Sequence, residues 1–357
     1  MKPRVLSLFC GAGGFDLGFV QGGFEIVLGI DNNKKAVQTY SSNFSHPVLC
    51  KDIAEVKTEE LPDCDVVIGG FPCQGFSLAN SFRSCDDPRN SLYKEYLRVV
   101  RGKRPKVFVA ENVKGLLSMK APSGERVIDV IQKDFSAIGY YTSYISVNAK
   151  DYDVPQSRNR IFIFGVQKEL YDRSQCKSKS SKCSKPTRLK IQGEYKTYKR
   201  LFTVTEEMLK DFYPVFGLEH AAQHEHRITQ RQALKDIPFV ESEVNIQYKP
   251  HGRFMTRDRC SSWDGVSFTI TSKTQNLHPS STKMRYVEKD KYVFVDDPPV
   301  YRAYTWREAA ALQTFPKDFV FCGGRTNIYE QVGNAVPVNL AWYISKVTQK
   351  LLTKLGE

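Results

Sequence analysis

Residues 4–31 read RVLSLFCGAGGFDLGFVQGGFEIVLGID, and this stretch decides the fold. Residues 5–9 are a short apolar run with the pattern of a buried strand. A glycine turn, Cys10–Gly14, follows, then an amphipathic stretch from Phe15 to Gln21 and a second apolar run, Glu25–Ile30, closed by Asp31. Strand, turn, helix and strand make one crossover unit, and the same rhythm continues outward. Residues 33–43 read as a helix, Asp65–Ile68 as a strand ending in Gly69-Gly70, 91–101 as a helix, Val107–Ala110 as a strand and 125–138 as a helix. Residues 140–147 and 160–166 read as strands. The alternation predicts an α/β sheet of parallel crossover units. Ligands of such sheets bind beyond the carboxyl ends of the strands, where Asp31, the segment after Gly70 and Glu111 all fall.

The chain has 357 residues, room for two domains or one large domain with an insertion at roughly 150 residues each. It is 41% hydrophobic and 25% charged, which excludes a wholly disordered or collagen-like chain. No apolar run reaches the ~18 residues of a membrane span, and the N-terminus lacks the apolar core and cleavage site of a signal peptide. A cytoplasmic protein is expected. The net charge is +13, but residues 173–200 hold ten basic residues against one acid, Glu194, a net of +9 that leaves +4 for the rest. Charge alone therefore leaves open both a polyanion partner and a solvated basic loop. Nine cysteines, an odd number, are scattered without a CxxC pair, as expected of thiols in a reducing compartment. Cys176 and Cys183 with His220, His224 and His226 match no usual zinc spacing, so no metal site is expected.

The alternation stops near residue 170. Residues 173–200, rich in Lys and Ser, read as a linker or insert, and 201–300 as short, irregular pieces of a second, smaller region. Thr305 and Glu308 form a capping-box pattern before WREAAALQ. A last helix is expected near Pro337, with Val338, Leu340, Ala341, Ile344 and Val347 on one face.

Several residues stand out chemically. Glycines at 11, 13 and 14 let a ligand approach the backbone, and Asp31, about 20 residues on, suits ribose hydroxyls; a purely structural turn reads equally well. Cys73 follows a proline in a loop past a strand, although free thiols are more often buried and inert. Glu111 ends the strand VFVA, where a helix cap or solvated turn is the plain alternative. Arg158 and Arg160 alternate on entering a strand, so both face one side, as surface ion pairs also would.

Together, and in order, LSLFCGAGGFDLGF, GGFPCQGFS, AENVKG, PQSRNRIFIFG, WREAAALQTFP and YEQVGNAVPVNLA resemble the DNA (cytosine-5)-methyltransferase family, of the bacterial restriction-modification type, over nearly the whole chain. Fainter matches lie at 51–53 and 87–93. The resemblance implies a Rossmann-like sheet of the S-adenosylmethionine-dependent methyltransferase type, with a smaller, irregular target-recognition domain. The expected division is 1–170 (catalytic and cofactor-binding), 171–328 (target recognition, including the basic insert 173–200) and 329–357 (returning to the catalytic domain).

The family's mechanism, carried onto this sequence, makes Cys73 a nucleophile that adds to carbon 6 of cytosine and turns carbon 5 enamine-like. Glu111 would protonate or hydrogen-bond ring nitrogen 3, with a pKa raised by burial. Arg158 and Arg160 would hold the base and supply positive charge. S-adenosyl-L-methionine would lie against Phe9, Cys10, Gly11, Gly13 and Gly14, with Asp31 on its ribose, Asp52 and Ile53 at the adenine edge, and Leu92 and Asn334 closing the pocket. The target base must be flipped out of the duplex. Gln74, Ser77 and Arg83 could then approach the DNA, with a solvated loop charge the alternative for Arg83. Base reading would fall to 251–285, where Arg253, Arg257, Arg259 and Lys273 suit guanine, and Gln275 and Asn276 suit adenine. That stretch is similar to recognition regions of GGCC-modifying members. The implied partner is double-stranded DNA. A monomer is expected, without membrane contact, and any cognate restriction endonuclease would act separately. The rivals are a tRNA cytosine-5 methyltransferase, whose Cys-Phe-Thr signature is not visible, and a non-catalytic binding protein, against which intact Cys73, Glu111, Arg158 and Arg160 speak.

Overall fold

The computed structural model describes residues 1–72, 91–121, 123–178, 228–238, 240, 261–272, 278–281, 284–288, 291–294 and 302–356. A seven-stranded sheet in the order β3-β2-β1-β4-β5-β7-β6 organises the first half of the chain. Its strands are β1 (Arg4–Leu8), β2 (Glu25–Asp31), β3 (Val48–Cys50), β4 (Val66–Gly69), β5 (Val107–Val113), β6 (Tyr140–Asn148) and β7 (Asn159–Gln167). The helices between them are α1 (Gly14–Gln21), α2 (Lys34–Asn43), α3 (Ser91–Lys103) and α4 (Val127–Ala137), with α5 (Lys168–Ser178) after β7.

Successive residues of the central strands point to opposite faces, and both faces are covered. Val5, Val66, Ile68, Val107, Val109, Phe162 and Phe164 pack on one side with Phe15 and Phe19 of α1. Leu6, Leu8, Val67, Phe108, Ala110, Ile161 and Ile163 pack on the other with residues of α3 and α4. Strands β1 to β5 are parallel, and β1 lies between β2 and β4. The winding reverses there, so the ends of β1 and β4 flank the switch-point crevice.

One expectation is corrected. Strand β7 runs antiparallel to both β5 and β6, so the sheet is mixed. Residues 149–158 hold only a single 3-10 turn, Ala149–Asp151. A parallel crossover needs a dozen or more residues, so a reversal is the connection available.

The second half contributes α6 (Gln230–Leu234), the strand pair β8 (Met284–Glu288) and β9 (Lys291–Phe294), α7 (Trp306–Leu312), α8 (Arg325–Asn334) and α9 (Val338–Lys354). Thr305 caps α7 with the expected box: its Oγ1 accepts from Glu308 N at 3.1 Å, and its own N–H donates to Glu308 Oε2 at 2.8 Å. Helix α9 follows Pro337 and buries Val338, Leu340, Ala341, Ile344 and Val347. With Val336 leading into it, this helix lies so close to α1 and its C-cap Gly22 that a Cβ at Gly14 would meet Val336 O at 2.6 Å, one at Gly18 would meet Trp342 N at 2.6 Å, and one at Gly22 the Ser345 side chain. The spacing of four places these three glycines on one helix face, and it brings the chain's end back onto its beginning. The expected boundaries at 170/171 and 328/329 fall inside α5 and α8. Of the basic insert, residues 179–200 lie outside the described residues. Among the described residues, no helix is long and apolar enough to cross a membrane.

Candidate active site

The turn after β1 is built from left-handed backbone: Phe9 and Gly11 have φ 55°, and Gly13 has φ 91°. Glycine meets that demand without strain; at Phe9 the conformation costs of order 1–3 kcal/mol. Cys10 N donates to Ile30 O at 3.0 Å, tying the turn to the end of β2. Asp31 finishes the tie: Oδ2 accepts from Gly11 N at 2.9 Å and Oδ1 from Asn33 N at 2.8 Å. Burial raises its pKa, and these two N–H groups oppose the rise. Each carboxylate oxygen keeps a further lone pair for a hydroxyl. Among the described residues other than its two chain neighbours, nothing stands within 4 Å of where a Cβ on Gly11 would be.

Phe9 and Leu92 are half-buried against the same apolar cluster as the buried Ile53. Asp52 Oδ1 accepts from Ala54 N at 3.0 Å, capping the 3-10 turn that begins at Ile53. Asn334 ends α8 with its side chain exposed, next to Ala335, whose Cβ would stand 3.2 Å from a Cβ at Gly14. Arg98 was missed by sequence reading. Its guanidinium donates to Ile53 O at 2.8 Å, Val56 O at 3.0 Å and Thr58 Oγ1 at 2.5 Å, and so fixes the Asp52–Ile53 segment from α3.

At the end of β5, Glu111 Oε1 lies 2.6 Å from Arg160 Nε, and each side chain is 13% exposed. The carboxylate thus faces a guanidinium. A Cβ on Gly70 would sit 3.0 Å from Glu111 Oε2. The next residue, Asn112, donates from Nδ2 to Phe71 O at 3.0 Å. Glu111 and Arg160 are therefore fixed against Gly70-Phe71-Pro72, the lead into Cys73. Cys73, Gln74, Ser77, Arg83, Arg257 and Arg259 lie outside the described residues, as do Arg253, Lys273, Gln275 and Asn276.

Arg158 separates from Arg160. It is 1% exposed and donates to three backbone carbonyls: Ile270 O at 2.7 Å, Gly333 O at 2.9 Å and Ala335 O at 3.1 Å. Burial, and then Arg160, disfavours its charge, while Glu111 favours it. The expected base contact is corrected to an inward strut, because Arg158 precedes β7 and turns into the junction of the middle region with α8. Gln156, missed by sequence reading, completes that junction. It accepts from Ile270 N at 2.9 Å and donates to Gln313 Oε1 at 3.0 Å. Its place in the PQSRNR motif was the available signal. Among the described residues no cluster of three or more His, Cys, Asp or Glu could hold a metal.

A family model for C-5 cytosine-specific DNA methylases matches residues 3–350. The chain belongs to that family. It is 35% identical to the type II methyltransferase M.FnuDI of Fusobacterium nucleatum, over 98% of this chain and 95% of that one. It is 34% identical to the type II methyltransferase M.MthTI of Methanothermobacter thermautotrophicus, over 98% of both chains. Among solved structures, the Dnmt2 methyltransferase of S. pombe superposes with a TM-score of 0.66 at 18% identity, covering 98% of this chain and 99% of that one. The methyltransferase EhMeth of Entamoeba histolytica superposes with a TM-score of 0.65 at 17% identity, covering all of both chains. These two likenesses concern the fold alone, which is Rossmann-like and of the methyltransferase type. The C-5 cytosine-specific methylase transfers a methyl group to carbon 5 of cytosine in DNA, and the tRNA alternative is the less favoured reading.

Proposed function

We propose that this methylase is the modification enzyme of a type II restriction-modification system, working on a specific duplex sequence through a covalent Cys73 adduct on a flipped-out base. The observation that supports the site best is the Glu111–Arg160 pair, held by Gly70 and Asn112 beside the lead into Cys73. The Cys73 thiolate forms a bond to carbon 6 of cytosine. The electron pair displaced toward ring nitrogen 3 is met by a proton or hydrogen bond from Glu111 in its protonated form, the proton sitting on the oxygen not held by Arg160. Arg160 orients Glu111 and adds positive charge as negative charge builds. Once carbon 5 carries the methyl group, its proton passes to water, the freed electron pair forms the carbon 5–carbon 6 double bond, and Cys73 leaves as the thiolate, restoring the aromatic ring. Arg158 acts as a positioning residue for the elements around Asn334.

The cofactor chemistry fits S-adenosyl-L-methionine. The left-handed turn at Phe9–Gly13 leaves backbone approachable, Asp31 retains lone pairs for ribose hydroxyls, and buried Ile53 offers an apolar edge. Bound there, it would supply an electrophilic methyl group from a sulfonium. Phe9, Cys10, Gly11, Gly13, Gly14, Asp31, Asp52, Ile53, Leu92 and Asn334 would hold it.

We assign residues up to about 170 and the returning α9 to the catalytic unit and the region between to target recognition, with Arg257 and Arg259 reading bases and Gln74, Ser77 and Arg83 approaching the DNA. GGCC is the proposed target, a monomer the working form, and a separate restriction endonuclease the partner activity. Mapping 5-methylcytosine in DNA from cells expressing the protein tests this. Methylation confined to GGCC is expected; methylation at another sequence would overturn the target, and methylated tRNA with unmethylated DNA would overturn the reading.

A further inference from the structure

Behind the glycine turn lies a carboxylate that the catalytic account does not use. Asp16, in the first turn of α1, is fully buried. Ser7 Oγ donates to its Oδ2 at 2.9 Å and Tyr40 OH to its Oδ1 at 2.7 Å. The Tyr40 oxygen is also 2.7 Å from His46 Nε2. Tyr40 has one hydroxyl proton, so with that proton on Asp16 the histidine must donate to Tyr40. A chain of hydrogen bonds thus runs from buried Asp16 to half-buried His46. The Tyr40 ring forms the floor of the turn: a Cβ at Gly13 would meet Tyr40 Cδ2 at 3.0 Å, and one at Gly29 would meet its hydroxyl at 3.0 Å.

Among the described residues, the groups that act on Asp16 are the Tyr40 and Ser7 hydroxyls, its own backbone N–H and the Asp31 carboxylate, and no lysine or arginine is among them. The nearby Cys10 thiol is held neutral, its pKa pushed well up by burial and then by Asp16 and Asp31. Burial lowers the His46 pKa and pushes the Asp16 carboxyl up to about 6. A buried carboxylate without a protein counter-charge gains most from a bound cation. S-adenosylmethionine carries a sulfonium and an ammonium against one carboxylate. After methyl transfer the sulfur is an uncharged thioether.

We propose that Asp16, held by Ser7 and Tyr40 behind the glycine turn, is a charge-complementing positioning residue that favours the cationic methyl donor over its demethylated product. It rests on reading Phe9–Gly14 and Asp31 as the cofactor pocket. The ionised form carries the preference, so the preference is present above the Asp16 pKa and lost as pH falls through it. The donor's α-amino group, at roughly 7.7–8.0, stays mostly protonated across that window.

Calorimetric titration of the full chain with S-adenosylmethionine and with S-adenosylhomocysteine, from pH 5 to 7.5, tests it. Donor affinity should rise roughly tenfold across a midpoint near 6, and product affinity by less than about twofold. Asp16→Asn should remove the step. Tyr40→Phe, which deletes a donor to the ionised form, should keep the step and move its midpoint upward; this variant decides the matter even if Asp16→Asn fails to fold. Equal steps for both ligands, a step retained in Asp16→Asn, or an unmoved midpoint in Tyr40→Phe would each overturn the proposal. Asp31→Ala separates the two readings. If it binds both ligands as tightly as wild type, the pocket reading fails and this proposal with it. If it weakens both about 10- to 100-fold while Asp16→Asn keeps the step, only the charge proposal fails.

Discussion

Arg160 Nε stands 2.6 Å from Glu111 Oε1 because β7 runs against β5. Arg160 pairs with Val113, two residues beyond Glu111, so the two side chains are diagonal neighbours on one face. A parallel β7 would begin beside the start of β5 and leave Arg160 at the far end of the sheet. The antiparallel strand is thus what delivers a guanidinium to the carboxyl end of β5.

That geometry makes Arg160 sensitive to shape as well as charge. Arg160→Ala should slow single-turnover methyl transfer to DNA by about 10²–10³-fold. Arg160→Lys should recover only part, since lysine lacks the planar fork. Full recovery by lysine would mean that charge alone suffices.

Arg158 should behave differently. Removing its guanidinium leaves the carbonyls of Ile270, Gly333 and Ala335 without their buried donor. Arg158→Ala should cost roughly 3–5 kcal/mol of stability in urea unfolding. Unchanged stability with lost catalysis would return Arg158 to the base-contacting role expected from its motif.

The motif could not reveal this difference. Alternation places residues 158 and 160 on one side, but it does not say that the chain from Ile270 and Gly333 closes over only the first of them. Apart from the three-residue edge strand β3, which was missed, the strands and helices of residues 4–167 were legible within a few residues, because periodicity reports burial. Strand direction was not, since an antiparallel and a parallel buried strand carry the same apolar run. Asp16 was hidden for a related reason: in GFDLGF it reads as the polar face of an amphipathic helix, and only the fold shows that it is buried between Ser7 and Tyr40. The turn after β1, by contrast, was legible through glycines at 11 and 13, whose positive φ the structure requires.

Acid should reveal two buried groups of opposite sign. His278 is 3% exposed, and burial lowers its pKa to about 4. The unfolded chain therefore binds the proton first, and stability falls as pH drops from about 6.5 to about 4, by up to roughly 3 kcal/mol. Asp16, raised to about 6, works the other way: its folded form takes up the proton first, so its contribution is present at low pH and lost as pH rises through about 6. His278→Gln should flatten the acid loss of melting temperature, and Asp16→Asn should steepen it. An unaltered pH profile in both variants would contradict these assignments.

The basic run calls for a measurement in salt. Deleting 179–190, which leaves α5 whole, should lower DNA affinity at moderate salt and flatten the salt slope while the methylated sequence stays the same. A solvated linker would leave the slope unchanged. A changed target sequence would make this segment a base reader.

The account turns on Cys73, one cysteine among nine. DNA carrying 5-fluorocytosine at the target position should trap a covalent complex, because fluorine cannot depart as the carbon 5 proton does. Denaturing electrophoresis of that complex, for wild type and Cys73→Ala, is the most direct measurement. A trapped species with wild type and none with the variant is the predicted result; equal trapping by Cys73→Ala would remove Cys73 from the mechanism.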